Sequence, residues 1–163
     1  METLDFMRAV LGRRGKYCIF TLKNGNRKQN FYSTIESAFD GAEYFDERGH
    51  ETYYGLATFD DNGNRKAENT IEMGSLFLDL DCGEGKDYPD QSSALIALRK
   101  FVKEQSLPRP LMVSSGYGIH VYWPLSEPMS TDEWRPVAKA LKALCRNNDL
   151  FIDPSVPADA ARV

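Results

Sequence analysis

The sequence predicts a single α+β domain, and three observations support this class. Segments with the alternation of a β-strand are interspersed with segments that have the periodicity of an amphipathic helix. Hairpin signals are frequent, the clearest at Asn24-Gly25, and frequent hairpins favour α+β over a doubly wound parallel sheet. The chain has 163 residues, of which 42% are hydrophobic, and this is enough for one domain with its own core. We therefore expect residues 1–163 to form one domain.

The first third of the chain predicts a helix, a hairpin and a second helix. Residues 3–12 have the apolar stripe of a short amphipathic helix, and residues 16–33 have two strand-like runs around an Asn-Gly turn. Ser33 and Glu36 form a capping-box pattern, which predicts a helix that extends to about Arg48. Gly49 then provides the expected stop.

The middle of the chain predicts two strands separated by a polar loop. Residues 51–59 are rich in aromatic and β-branched residues, as in a strand, and residues 60–74 read as a polar loop. The apolar run at 75–81 predicts the second strand, and a glycine-rich, charged turn follows at 82–90.

The last third predicts two helices on either side of a hairpin. Asp90 is a candidate N-cap for a helix over 91–105, and Ser130 with Glu133 forms a second capping box for a helix to about Asn147. Between them, 110–114 and 119–124 predict two strands joined by a Ser-Gly-Tyr-Gly turn. A short apolar run then ends in Asp153, before a proline.

Composition restricts the possible classes of function. The net charge of −4 disfavours a simple nucleic-acid coat, which would normally be basic. No apolar run approaches the roughly 18 residues of a membrane span, so no membrane partner is expected. Three widely spaced cysteines match neither a zinc site nor a disulfide framework, which predicts free thiols in a reducing cytoplasm.

Two aspartates end the strand Leu-Phe-Leu-Asp-Leu-Asp. Asp79 and Asp81 stand two residues apart, so in a strand they share one face while Leu80 lies on the other. Carboxylates held this close repel each other unless a cation lies between them. The pair therefore predicts either a site for Mg²⁺ or Mn²⁺, both of which take oxygen ligands, or simply a solvent-exposed strand end.

The segment Ser-Ser-Gly-Tyr-Gly-Ile-His is the second candidate feature. Gly116 and Gly118 allow a tight turn whose backbone N–H groups can approach an anion, with Ser114 and Ser115 beside it. His120 alternates with the apolar residues around it, so it leaves the main apolar face of its strand. The segment predicts either a phosphate cradle or an ordinary hairpin with a surface histidine.

These motifs, in this order and followed by the apolar run that ends in Asp153, resemble the archaeo-eukaryotic primase superfamily. Taken alone, the Asp-Pro-Ser of this run is also an ordinary turn opener. The resemblance extends from about Tyr53 to the end of the chain, and it is strongest for the primase-polymerases of plasmids, phages and mobile elements. It implies an N-terminal αβ unit beside a unit like the RNA-recognition motif, with the active site in the cleft between them.

The resemblance also implies roles for individual residues. Asp79, Asp81 and Asp153 would be the catalytic, metal-binding carboxylates. The triphosphate of the incoming nucleotide would be held by Ser115, Gly116, Gly118 and His120, with weaker candidates in Arg162 and Lys66. Arg65 and Asn69, beside Lys66, match a polar, basic segment of the family.

The activity implied is that of a template-directed DNA primase/polymerase. It would use Mg²⁺ or Mn²⁺, nucleoside triphosphates, and a single-stranded DNA template with its primer. The resemblance also implies a helicase partner, in the same or a separate chain, and a cytoplasmic replication protein of a prokaryote or virus. The sequence stops abruptly at Val163, which suggests that the domain is truncated at its C-terminus.

Other classes of function are also compatible with parts of the sequence. A module that binds single-stranded nucleic acid or nucleotides without catalysis could stack bases on aromatic side chains: Tyr53, Tyr54, Tyr122 and Trp123. A haloacid-dehalogenase phosphohydrolase also has an Asp-x-Asp strand, but Gly83 stands where that family has Thr or Val. A rolling-circle endonuclease needs a second histidine, and Tyr122 stands in its place.

Overall fold

The computed structural model describes residues 2–163, and it confirms the α+β class. Helices and strands are interspersed along the chain, and four pairs of neighbouring strands are antiparallel. The elements in chain order are α1 (Thr3–Val10), β1 (Lys16–Lys23), β2 (Asn26–Tyr32), α2 (Ile35–Asp46), β3 (Glu51–Phe59), a one-turn 3₁₀ helix (Ala67–Asn69), β4 (Thr70–Asp81), α3 (Gln91–Glu104), β5 (Leu111–Ser114), β6 (Gly118–Ser130) and α4 (Thr131–Asn147).

The chain divides into two compact units. The first comprises the chain up to Ser75, together with Leu125–Trp134 and Ala160–Val163. The second comprises Leu76–Pro124 and Arg135–Asp159. The long elements β4, β6 and α4 contribute residues to both units.

In the first unit the strands follow the order β2-β1-β3-β4. The Asn24-Gly25 turn pairs β1 with β2 in the register Lys23 to Asn26, as the sequence predicts. The indole N–H of Trp134, which is fully buried, donates a hydrogen bond to the Ser75 carbonyl at 2.9 Å. This bond satisfies the one polar atom of the ring inside an apolar core.

In the second unit the strands follow the order β4-β6-β5. The alternate residues Leu78 and Leu80 of β4, with Ile119 and Val121 of β6, are at most 3% exposed. They belong to one apolar cluster that also includes residues of α3 and α4. This core fixes the backbone at the end of β4, where the two aspartates stand.

The helix predictions hold, with one shift. Asp90 caps α3, since its carboxylate accepts from the Ser93 N–H at 2.7 Å, and Ser130 and Glu133 form the predicted capping box of α4. In α2 the cap is Thr34 rather than Ser33, and its hydroxyl accepts from the Ser37 N–H at 3.2 Å. The extended backbone of Thr34 aims its hydroxyl at this N–H.

The predicted loop at 60–74 is too long, because β4 begins at Thr70. Glu72 and Gly74 made this stretch read as a loop, yet both are buried in the strand. The Glu72 carboxylate accepts hydrogen bonds from the Arg13 N–H at 2.6 Å and from the Arg14 guanidinium at 2.7 Å. A Cβ at position 74 would lie 2.3 Å from the Leu11 carbonyl oxygen. Partners distant in sequence therefore place polar and small residues inside a strand.

The last predicted strand is also too short, because β6 continues past Pro124 and Pro128 to Ser130. The pairing of β5 with β6 runs only from Ile119 to Tyr122. The later part of β6, which contains the prolines, therefore donates no backbone hydrogen bond to β5. Prolines are tolerated where a strand has no neighbour on the N–H side.

Two further predictions concern the cysteines and the membrane. Cys18, Cys82 and Cys145 are free thiols, as predicted, and all three are buried. Burial raises the pKa of Cys18 to about 11 and that of Cys145 to about 12. Within residues 2–163, no helix combines the length and the apolar character needed to cross a membrane.

Candidate active site

The end of β4 carries the two aspartates on one face of the strand. Leu80 between them is fully buried, whereas the Asp79 side chain is 14% exposed and that of Asp81 is 44% exposed. This is the alternation expected of a strand, in which residues two apart point in the same direction. The carboxylates are therefore available to a ligand at an otherwise apolar strand end.

His120 lies beside Asp79, on the neighbouring strand β6. Its Nε2 atom is 3.8 Å from Oδ2 of Asp79, and its side chain is 41% exposed. Ile119 and Val121 are buried on the opposite face, so His120 leaves the apolar core as the sequence predicts. The imidazole can donate a hydrogen bond to an anion that approaches the carboxylates, and it adds positive charge when protonated.

The main chain at Asp153 lies against the main chain at Asp79. The Asp153 N–H donates to the Asp79 carbonyl at 2.9 Å. One carboxylate oxygen of Asp153 accepts from both the N–H and the hydroxyl of Ser155, at 2.8 and 2.7 Å. The Asp-Pro-Ser segment is thus an ordinary turn and also a neighbour of the aspartate pair. The Tyr88 hydroxyl accepts from the Phe151 N–H at 3.0 Å and helps to hold this segment in place.

The turn at Ser115–Gly118 also meets the end of β4. The Ser115 N–H donates to the Gly118 carbonyl at 3.0 Å, and Gly116 has a φ of +89°, which a glycine adopts without strain. The Cys82 N–H donates to the Tyr117 carbonyl at 2.9 Å and ties the turn to the residue after Asp81. The serine and glycines of the predicted cradle therefore lie beside the aspartates.

Lys86 is a further candidate site residue, which the sequence motifs do not reveal. Its ammonium group lies 2.9 Å from Oδ2 of Asp81. The hydrogen bond to Asp81 and then the charge of Asp81 raise the pKa of Lys86; burial opposes this, and the charges of Asp153 and Asp79 add to it. One lysine thus feels the field of all three aspartates. The available signal was a lysine in a glycine-rich turn directly after an Asp-x-Asp strand end.

The donor set fits a hard divalent cation. Asp79 and Asp81 offer carboxylate oxygens, and the Lys86 ammonium stands as a cation against Asp81. Mg²⁺ is commonly held by one or two carboxylates and completes its shell with waters and substrate phosphates. Among residues 2–163, no three His, Cys, Asp or Glu side chains are grouped tightly enough to enclose a metal ion.

The remaining predicted contacts lie in the first unit. Lys66 is exposed and lies 3.8 Å from the Glu68 carboxylate. The Arg162 carbonyl accepts from the Leu56 N–H at 3.0 Å, so this residue is attached to β3 through its main chain. Arg65 donates to the Ala161 carbonyl, and Asn69 is buried against Asn64. The structure therefore assigns Arg65 and Asn69 local structural contacts.

The fold is similar to that of a solved primase-polymerase domain, as the sequence resemblance implies. The chain is similar to the AEP domain of the cyanophage S-2L primase-polymerase, with a TM-score of 0.60 and 16% identity over 91% of this chain and 70% of that one. It also matches the polymerase domain of Mycobacterium tuberculosis ligase D, solved in complex with DNA, with a TM-score of 0.47 and 19% identity over 86% and 54% of the two chains. No protein-family model and no curated protein sequence matches the chain.

Proposed function

We propose that this chain is a metal-dependent nucleotidyltransferase that acts as a template-directed DNA primase/polymerase. The observation that carries the proposal is the meeting of three remote motifs at the end of β4. His120 is 3.8 Å from Asp79, and the Asp153 N–H bonds to the Asp79 carbonyl at 2.9 Å. A surface histidine and a chance Asp-x-Asp would have no reason to meet.

In this proposal Asp79 and Asp81 hold the divalent cations, and Asp153 completes the set of carboxylates. Mg²⁺ or Mn²⁺ bound there would lower the pKa of the attacking 3′-hydroxyl and stabilise negative charge on the phosphates. Asp79 and Asp81 supply negative charge at a strand end whose backbone is held by the buried core. Such fixed charge needs no rearrangement when the reaction occurs.

The turn at Ser115–Gly118 and His120 hold the triphosphate in this proposal. Backbone N–H groups in a glycine turn can approach phosphate oxygens closely, and the imidazole adds a donor. Lys66 and Arg162 are further candidates for phosphate contacts. The substrates are nucleoside triphosphates on a single-stranded DNA template with its primer, and a helicase is a candidate partner.

The direct test is an assay on single-stranded DNA without a primer, with labelled nucleotides and either Mg²⁺ or Mn²⁺. A labelled, template-dependent product is the expected result, and chelation of the metal should abolish it. A parallel reaction with an annealed primer separates initiation from extension. No product in either reaction would overturn the proposal.

A binding module without catalysis has support from only part of its aromatic set, in which Tyr53 is 41% exposed. Tyr122 and Trp123 are 5% and 7% exposed, so their ring faces are not available to stack on bases. The Trp123 indole N–H already donates to the Pro108 carbonyl at 2.8 Å. Such a module would also leave the aspartate pair unexplained, since acids at a binding face repel phosphates.

Replacing His120 with alanine should weaken nucleotide binding about tenfold, because a charge-assisted hydrogen bond to phosphate is worth about 1.5–3 kcal/mol. A titration of a fluorescent nucleoside triphosphate in Mg²⁺ measures the effect. His50→Ala is the matched control, because this histidine lies in the first unit and packs against Phe45. Equal affinity of the His120 variant and the wild type would remove the anchoring role.

Replacing Lys86 with methionine should tighten Mn²⁺ binding about threefold, because a metal ion at Asp81 competes with the ammonium group for the same carboxylate. The pair is half exposed, with side chains 50% and 44% accessible, so water screens the ion pair and the effect of removing it is small. Electron paramagnetic resonance of free Mn²⁺ measures the affinity without any assay of activity. Lys100→Met, which removes a lysine paired with Glu104 on α3, should leave it unchanged.

A further inference from the structure

The helix α4 carries an uneven distribution of charge. After Glu133 it contains four cations and no acid: Arg135, Lys139, Lys142 and Arg146. The chain as a whole has a net charge of −4, so this concentration of positive charge runs against its overall composition. Such a stripe is the electrostatic signature of a surface that binds a polyanion.

Three of these cations face a single cavity. Lys139, Lys142 and Arg146 recur at intervals of three and four residues, which places them on one face of the helix. The adjacent face of the helix packs into the core through Ala138, Leu141 and Cys145. The cavity has a volume of about 330 Å³, and its other wall is the segment of chain that follows α4.

The cations of this cavity are not neutralised by neighbouring carboxylates. Within residues 2–163, Lys139, Lys142 and Arg146 make no ion pair and no side-chain hydrogen bond. Asp149 is the one acid in the lining, so the cavity keeps an excess of positive charge. Unpaired cations around a concave surface favour a ligand that brings several negative charges.

The wall opposite the helix adds an exposed aromatic ring. Phe151 lines the cavity and is 54% exposed, and its ring meets the Tyr88 ring edge-on at 6.4 Å between centroids. An exposed aromatic ring can stack on a flat apolar group of a ligand. A row of cations beside an exposed aromatic ring is the combination that binds single-stranded nucleic acid, because the cations contact phosphates and the ring stacks on a base.

We propose that this cavity is a binding site for single-stranded DNA, in which Lys139, Lys142 and Arg146 contact successive phosphates and Phe151 stacks on a base. Phe151 is only two residues from Asp153, whose N–H donates to the Asp79 carbonyl. Two residues of extended chain span at most about 7 Å, so Phe151 lies close to the candidate active site. The assignment of the bound strand as template or product rests on the proposed function. The binding itself requires neither metal nor nucleotide.

Fluorescence anisotropy with a labelled oligothymidylate, in the presence of EDTA, tests this site. The triple variant Lys139→Ala/Lys142→Ala/Arg146→Ala should bind at least about tenfold more weakly, and the slope of log K against log salt should fall by about 2, as expected for three lost phosphate contacts on a single strand. Phe151→Ala should weaken binding at least about fivefold without changing this slope, and Phe151→Trp should restore it.

The matched control is the triple variant Arg99→Ala/Lys100→Ala/Lys103→Ala, which removes the same charge from α3. It should change the affinity less than threefold and leave the salt slope unaltered. Equal losses of DNA affinity in the two triple variants would overturn the proposed site. Competition by a polyglutamate peptide as strong as that by an unlabelled oligonucleotide would also overturn it. Thermal unfolding of each variant checks that it is folded.

The outcome also separates this site from the proposed activity. The double variant Asp79→Asn/Asp81→Asn should bind the oligothymidylate as tightly as the wild type. If the protein binds DNA at α4 but incorporates no nucleotide, the DNA-binding site stands and the proposed polymerase activity is wrong. If the protein incorporates nucleotides but the α4 triple variant binds DNA normally, the activity stands and the DNA-binding site is wrong.

Discussion

Changing Asp79 and Asp81 together to asparagine should reduce primer extension at least about a thousandfold, because loss of a single fixed electrostatic group in an active site commonly costs a hundredfold or more. Asparagine keeps the volume and shape of each side chain but removes the negative charge that would hold a divalent cation. The fold should remain, since Leu78 and Leu80, which anchor this strand end, are unchanged and at most 1% exposed. Single-turnover extension of a labelled primer in Mg²⁺ and in Mn²⁺ measures the effect.

The control for this variant removes two negative charges from the same neighbourhood. Glu84 and Asp87 are exposed in the loop that follows β4, so Glu84→Gln/Asp87→Asn changes the net charge equally without touching the strand. Its rate of primer extension should stay within about threefold of the wild-type rate. This difference is smaller than the tenfold change that corresponds to about 1.4 kcal/mol. An aspartate variant that remains folded and extends the primer within tenfold of the wild type would overturn the metal-binding role of the pair.

Local chemistry made the elements and motifs of this chain predictable. Asp90 and the Ser130–Glu133 box marked helix starts through capping bonds that depend on residues only three positions away. The alternation of apolar and polar residues around Leu80 and around His120 predicted which side chains point away from the core, because the strand backbone fixes a period of two residues. The order of the motifs then led to a fold that the structure confirms.

Contacts between distant residues explain what the sequence left unpredicted. Glu72 reads as a loop residue until Arg13 and Arg14 are brought to it, and Lys86 reads as a surface lysine until its loop folds back on Asp81. The sequence alone would place Phe151 in the core, because an apolar run does not show which of its side chains remains exposed. Such contacts depend on the tertiary structure, which local sequence patterns do not determine.

Changing Gly118 to alanine should lower the free energy of unfolding by about 2 kcal/mol, the usual cost of forcing an extra methyl group into a packed interior. A Cβ at this position would lie 2.4 Å from the Leu80 carbonyl oxygen and 3.4 Å from Cα of Asp81. Both atoms belong to backbone, so the two neighbouring strands β4 and β6 must move apart. The φ of Gly118 lies outside the left-handed region, so space alone excludes the methyl group. Urea unfolding followed by tryptophan fluorescence measures the change.

The same displacement should disturb the candidate active site, because Gly118 lies two residues before His120 and packs directly on the backbone of Leu80 and Asp81. Moving His120 by about 1 Å from Asp79 should slow primer extension about a hundredfold, since misplacement on this scale has that effect in well-oriented sites. Gly116→Asn is the control for stability: a side chain there meets open space, so only the positive φ opposes it, at about 1 kcal/mol. If Gly118→Ala were as stable as the wild type and extended the primer at the same rate, the close packing of β6 on the aspartate strand would have no part in holding His120 against Asp79.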